Sequence, residues 1–214
     1  MTTPSVSTTN SPGVIPYHFF YWGPLLFRIK LSKEDLKKCA KLCSKESSFV
    51  NTTLAGAIQH EHSVDPSKYS KIIELYLESF RDSFKQWYGR PFFTDHRVAS
   101  KTHRLTMLTA WVNFMKAGEF NPPHVHTQCD FSSVLFIQIP EKLVEEHKKF
   151  PGSSGGPGNI AFMYGESQSY SITQKDILPE VGDLFLFPAT LTHFVAPFRS
   201  QGERISMSAN FRLD

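Results

Sequence analysis

Apolar residues follow two rhythms along this chain. In the first half they recur every three or four positions: Leu36, Cys39, Ala40 and Cys43 fall at i, i+3, i+4 and i+7, and Ser32 followed by Asp35 supplies a capping box. A longer segment follows Asp65-Pro66. There Tyr69, Ile72, Ile73, Tyr76, Leu77, Phe80, Phe84 and Trp87 line one face, Lys, Glu and Asp fill the other, and Gly89-Arg90-Pro91 stops the pattern. Both segments predict helices, the second with an aromatic face to lay against a sheet.

From about residue 104 the rhythm shortens to strand-like runs of β-branched and aromatic residues, at 105–116, 131–139, 160–164, 168–173, 183–187, 192–196 and 203–211. Gly and Pro punctuate them at Gly118, Pro122-Pro123, Pro140, Pro151 to Gly158, Gly182 and Pro188. Short strands with tight turns, preceded by helices and not alternating with them, predict an all-β core with flanking helices, an α+β arrangement. The expected architecture is a β-sandwich or jelly roll with the helices on one outer face.

Residues 1–14 are Thr, Ser, Pro, Asn and Gly with little to bury and predict a flexible tail. Length, 214 residues, suits one well-filled core, so 15–214 is expected to form a single domain: 15–103 a helical support, 104–214 the β core. The aromatic stretch from Tyr17 to Phe27 suits core, substrate groove or dimer contact equally.

Composition narrows the functional classes. The formal charge of +3 comes from 23 basic and 20 acidic residues with no run of like charges, which makes no positive case for nucleic acid. Cys39, Cys43 and Cys129 are an odd number at spacings that do not suit a zinc site; they read as buried thiols in a reducing compartment. No apolar run approaches the roughly 18 residues that span a bilayer, and the start MTTPSVSTTNSPG lacks the regions of a secretory signal. A soluble, cytoplasmic protein is expected, in the host cytoplasm if the source is viral.

Candidate chemistry sits in the β-rich half. PHVH places His124 and His126 at i and i+2, which on a strand project to one side. A third ligand must come from a neighbouring strand, and His193, after the strand 183–187 and the turn Pro188-Ala189-Thr190, is the candidate. His60 and His62 in QHEHS repeat the spacing without a third partner and are expected to be solvated. Ten residues separate His193 from Arg204, with Ser206 at i+2 and Ser208 and Asn210 continuing the face. A guanidinium pointing into an apolar barrel needs an anion, and that face offers no acidic residue. A fork of donors suits the carboxylate of a ligand.

This order of motifs resembles the iron(II)- and 2-oxoglutarate-dependent dioxygenases, whose double-stranded β-helix, a cupin-like jelly roll, carries H-x-D/E, a distal His, and Arg-x-Ser about ten residues on. MKAGEFNPPHVH and GDLFLFPATLTHFVAP are similar to the approaches to the two ligands in prolyl-4-hydroxylase-like members. The W-x-N and H-x-H texture is similar to small oxygenases of phages and marine bacteria. The resemblance covers roughly 104–212 and implies Fe(II), 2-oxoglutarate and O₂, with succinate and CO₂ released as a substrate is hydroxylated. It implies His124 and His193 as iron ligands, and Arg204 with Ser206 on the far carboxylate of 2-oxoglutarate. Asn113, alternating with Trp111 and Met115, could bond a 2-oxoglutarate oxygen, a substrate amide or the sheet itself, whereas Trp111 is expected in the core.

One position departs from the family pattern: His126 stands where the carboxylate ligand is usual. Either His126 ligates, Asp130 reaches in as the carboxylate, or water fills the place; spacing favours the first. Three protein ligands leave three open positions for a bidentate 2-oxo acid and O₂. The prolyl-hydroxylase-like texture implies a peptide or protein substrate over a small molecule, with proline the first candidate. Two rivals remain: a three-His cupin-type dioxygenase that does not use 2-oxoglutarate, and a non-catalytic metal-binding jelly-roll protein. The glycine-rich loop 151–159 suits a mobile segment over the mouth or a plain connection.

Overall fold

The computed structural model describes residues 23–50, 54–88 and 104–214. The tail at 1–14, the start of the aromatic stretch, the helix stop at 89–91, and His18, His96 and His103 lie outside the described residues. Among the described residues ten strands and three helices follow in the order β1 (Phe27–Lys30), α1 (Lys33–Ala40), β2 (Glu61–Ser63), α2 (Pro66–Tyr88), β3 (Leu105–Met115), β4 (Asn121–His124), β5 (Phe131–Gln138), α3 (Glu141–Lys148), β6 (Ile160–Met163), β7 (Gln174–Ile177), β8 (Asp183–Pro188), β9 (Thr192–Val195) and β10 (Arg204–Leu213). They build a six-stranded sheet, β1-β8-β5-β10-β3-β2, and a four-stranded sheet, β4-β9-β6-β7. Every strand pairing within them is antiparallel.

Period-2 alternation gives the larger sheet two apolar faces, so it is buried on both sides. Val112, Phe114, Leu184, Leu186, Met207, Ala209 and Phe211 face outward and pack on Tyr69, Ile73, Leu77, Phe80 and Phe84 of α2, with Cys39 of α1. Phe131 takes both Phe80 and Phe84 edge-on at 5.2 and 5.3 Å. Val134, Phe136, Phe185 and Phe187 face the other way and meet Ile160, Phe162 and Val195 of the smaller sheet. This is a jelly roll, the double-stranded β-helix, with α1 and α2 on one outer face.

Caps explain the helix starts. The Ser32 hydroxyl accepts from the Asp35 amide at 3.1 Å, and the Asp65 carboxylate accepts from the Ser67 and Lys68 amides at 2.9 and 3.2 Å. Helix α1 ends at Ala40, which is exposed, and Cys43 reaches the core from the following turn. All three cysteines are free; burial pushes the Cys39 and Cys43 thiols up to about 12.

Several elements differ from the sequence expectation. The run 168–173 is not a strand: Tyr170 adopts φ 66°, Ser171 turns back on Gln168, and pairing with β6 begins only at Gln174. Strands β1, β2 and β4 are too short to show a period, and β4 carries Pro122-Pro123, tolerable because it is a sheet edge. Helix α3 buries only Leu143, so EKLVEEHK shows no apolar stripe, and it joins the core between the sheets instead of the α1–α2 face. No helix among the described residues is long and apolar enough to cross a membrane.

Candidate active site

The edge strand β4 of the smaller sheet and its neighbour β9 bring the histidines together. His124 lies directly opposite His193 in the β4–β9 ladder, and the amide of His126 donates to the Ala189 carbonyl at 2.9 Å, folding the chain after β4 back over the same point. The ring centroids stand 4.3 Å apart for His124 and His193, 5.2 Å for His124 and His126, and 5.1 Å for His126 and His193. One ring nitrogen from each lies within 4.8 Å of the others, a spacing that one ion can bridge.

The tautomers are set by backbone oxygens. His124 Nδ1 donates to the Pro122 carbonyl at 2.7 Å and His193 Nδ1 to the Leu191 carbonyl at 2.9 Å. A carbonyl only accepts, so Nδ1 carries the proton and Nε2 keeps its lone pair for a metal. Burial holds all three imidazoles below their ordinary range, His126 to about 4 and His193 to about 3. They are neutral near pH 7, the form that binds a cation. Asp130 is not in the group: its carboxylate accepts from the Leu213 amide at 2.8 Å, and its backbone bonds Phe211 and Ala189.

The cluster opens into a cavity of about 240 Å³ whose opposite wall is β10 and β3, with Arg204, Ser206, Asn113 and Trp111 on it. Arg204 is 2% exposed, lies 4.7 Å over the Phe136 ring and donates from Nη1 to the Gly158 carbonyl at 3.1 Å. Its Nε is buried without a partner, no carboxylate pairs with it among the described residues, and burial pulls its pKa down to about 9. A buried cation with an unused donor facing a cavity fits an anionic ligand. Trp111 is buried, yet its ring is 5.8 Å from that of His126, so it walls the cavity as well as filling the core. Asn113 reaches Ser208 Oγ from Nδ2 at 3.4 Å and leaves Oδ1 buried without a partner.

Two expectations are corrected here. The end of loop 151–159 is not a lid. Gly156, Gly158 and Asn159 are buried, Asn159 bonds Asp176 at 2.7 Å, and the Gly158 carbonyl holds Arg204. Gly158 stands at φ 71° with Leu143 only 2.6 Å from where a Cβ would be, so glycine is needed for that carbonyl to be presented. Nor is His62 a solvated residue: it is 1% exposed, its Nδ1 donates to the Ser47 carbonyl at 2.9 Å, and Phe49 and Phe114 flank its ring. His60, half-buried, stacks on it at 6.0 Å.

Sequence reasoning missed Glu61, which is 1% exposed and lines the same cavity from β2. Only the parity of a three-residue strand would have pointed to it.

Residues 109–210 match the sequence model of a family described as "Putative 2OG-Fe(II) oxygenase". No curated protein matches the chain. Among solved structures, a prolyl-4-hydroxylase from Pseudomonas putida superposes with a TM-score of 0.54 over 88% of this chain and 92% of its own, at 15% identity. A viral collagen prolyl hydroxylase from Paramecium Bursaria Chlorella virus-1, in complex with 2OG, gives 0.54 over 88% and 96%, at 13% identity. A prolyl hydroxylase from Trichoplax adhaerens, bound to a hypoxia inducible factor peptide fragment, gives 0.51 over 87% and 83%, at 12% identity. At these identities the likeness is one of fold. The stretch that carries the three histidines, the buried arginine and most of the cavity wall thus matches a 2OG-Fe(II) oxygenase family, set in a prolyl-4-hydroxylase-like double-stranded β-helix.

Proposed function

We propose that the protein is an Fe(II)- and 2-oxoglutarate-dependent hydroxylase that couples decarboxylation of 2-oxoglutarate to succinate with hydroxylation of a peptidyl residue, proline being the first candidate. One observation carries the reading: three neutral imidazoles and a buried arginine with an unused donor share one small cavity. His124, His126 and His193 hold the iron through their inward nitrogens, with His126 in the place a carboxylate usually takes. Fe(II) with 2-oxoglutarate and O₂ supplies the oxidising power when bound.

The chain's own residues bind, orient and exclude water. Arg204 and Ser206 donate to the far carboxylate of 2-oxoglutarate, and the Gly158 carbonyl and the Phe136 ring keep the guanidinium aimed into the cavity while it waits. The Pro122 and Leu191 carbonyls fix two imidazoles in the tautomer that ligates. Phe187 and Phe162, at 4.7 and 6.2 Å from the His193 ring, keep that side dry. A three-His dioxygenase without 2-oxoglutarate has no use for the buried Arg204, which weighs against that alternative. The peptide preference rests on the prolyl hydroxylases of the same fold.

Anaerobic addition of Fe(II) and then 2-oxoglutarate tests the reading. A weak visible charge-transfer band is expected, and succinate on admission of air. Iron binding with no band and no succinate would reject the function.

A further inference from the structure

The cavity at the histidines is too small for a peptide. At about 240 Å³ it falls below the roughly 300–1,000 Å³ of pockets that take drug-sized ligands, and the proposed co-substrate already occupies it. A second hollow of about 680 Å³ adjoins it. Leu54, Trp111, Thr127 and Asn210 line both, so the two are continuous past Trp111. A chain lying in the larger hollow reaches the histidines at its Trp111 end.

Strand β10 runs under both. Arg204, Ser206, Ser208, Asn210 and Arg212 alternate with the outward-packed Met207, Ala209 and Phe211, so all five face inward. The register shift after Asn210 falls on the partner strand: Asn210 opposes Thr109 and Phe211 opposes Met107, which leaves Leu108 as an extra residue in β3. Parity on β10 is thereby kept as far as Arg212, and Leu108 joins Leu54 and Val64 as an apolar wall. The facing wall is a fixed turn. Gln128 stands at φ 62°, with the His126 amide held by the Ala189 carbonyl on one side and the Asp130 amide by the Phe211 carbonyl at 2.8 Å on the other. A non-glycine residue in the left-handed region persists where its surroundings fix it.

Arg212 is the one charged side chain on this lining among the described residues. It is exposed and has no ion pair among them. One face of β10 therefore carries a guanidinium at each end, Arg204 deep in the small cavity and Arg212 in the open hollow. Ser208 opposes Trp111, whose ring is 5.8 Å from that of His126, so the histidines stand near Ser208 along the strand. From Ser208 to Arg212 is about 13 Å at the usual strand rise, which an extended peptide covers in about four residues.

We infer that the hollow beside Trp111 is the substrate groove and that Arg212 is a specificity-determining residue in it, receiving the carboxylate of an aspartate or glutamate about four residues from the one that is oxidised. Leu54, Val64 and Leu108 accommodate the apolar residues between, and a carboxylate is the planar acceptor that a fork of guanidinium donors fits. The proposal rests on the hydroxylase reading above and sharpens it, since it names the kind of peptide and where its charge falls.

The test uses peptides with a central proline and a glutamate three, four or five residues before or after it, each against its glutamine counterpart. They are titrated without oxygen into the full chain loaded with Fe(II) and 2-oxoglutarate, and binding is read from the charge-transfer band and tryptophan fluorescence. At one of these positions glutamate is expected to bind about five-fold more tightly than glutamine, with the gain fading as salt is added. Arg212→Gln should erase the preference, and Arg212→Glu should transfer it to lysine at the same position. Unchanged 2-oxoglutarate affinity in both variants checks that the small cavity is intact. If no acidic peptide outbinds its counterpart in the unaltered protein, the proposal is overturned without any variant; a preference that survives Arg212→Gln overturns it too. Loss of the hydroxylase reading shows earlier, as absence of the band when 2-oxoglutarate is added.

Discussion

The chain contains two His-x-His pairs, and the fold uses them in opposite senses. In PHVH the two imidazoles turn inward to meet His193, and Val125 between them is 44% exposed. In QHEH the parity is reversed: the middle residue, Glu61, faces the cavity, while His62 turns to the other side of the sheet among Phe49, Phe114 and the Ser47 carbonyl. Identical spacing therefore says that two side chains share a side, not which side. A backbone carbonyl holds a ring nitrogen in both pairs, so what makes PHVH alone a candidate metal site is the third histidine on the neighbouring strand.

The largest effect expected from breaking the contrast is on iron. His193→Ala should weaken Fe(II) binding on the order of a hundred-fold or more, since it removes a ligand, measured by competition with a chelator. His60→Ala should leave that affinity unchanged. Next is the anion side, which the PHVH pair has and the QHEH pair lacks: Arg204→Met should cost 2-oxoglutarate about 2–5 kcal/mol of binding while sparing iron. An unchanged 2-oxoglutarate titration would reject the role of Arg204.

His62→Ala sharpens the comparison from the other side. It removes a buried ring and leaves the Ser47 carbonyl without its donor, so a loss of about 1–3 kcal/mol in denaturant unfolding is expected with iron affinity intact. The last effect is on pH. His126 and His193 titrate at about 4 and about 3 in the folded, metal-free protein against 6.5 when free, so between those values the unfolded chain binds more protons. Metal-free stability should be fully present above about 6.5 and fall as the pH drops toward 4, and His126→Gln should flatten that decline in thermal melts. An equally steep decline in the variant would show that His126 does not carry it.

Legibility followed segment length. Helix α2 announced itself because eight apolar positions repeat over its whole length, and β3, β5, β8 and β10 because their inner and outer faces are both filled. In the site, His124, His126 and His193 were readable, as was Arg204, because a charge among apolar neighbours on a long strand has to be answered. Glu61 and the Gly158 carbonyl were not. The first sits on three residues of strand, and the second is a backbone atom whose position depends on a loop packed under Leu143.

By itself the sequence determined which residues alternate, where the caps lie, and that His193, Arg204 and Ser206 follow one another at strand spacing. These are local properties, carried by periods of 2 and 3.6 residues. Only the tertiary structure decided that His126 joins the cluster while Asp130 caps the Leu213 amide, that QHEH turns its glutamate inward, and that the loop ending at Asn159 braces Arg204 instead of closing over it. Each of those depends on which strand or loop lies alongside. Spacing along the chain leaves that choice open, and packing the two sheets against each other makes it.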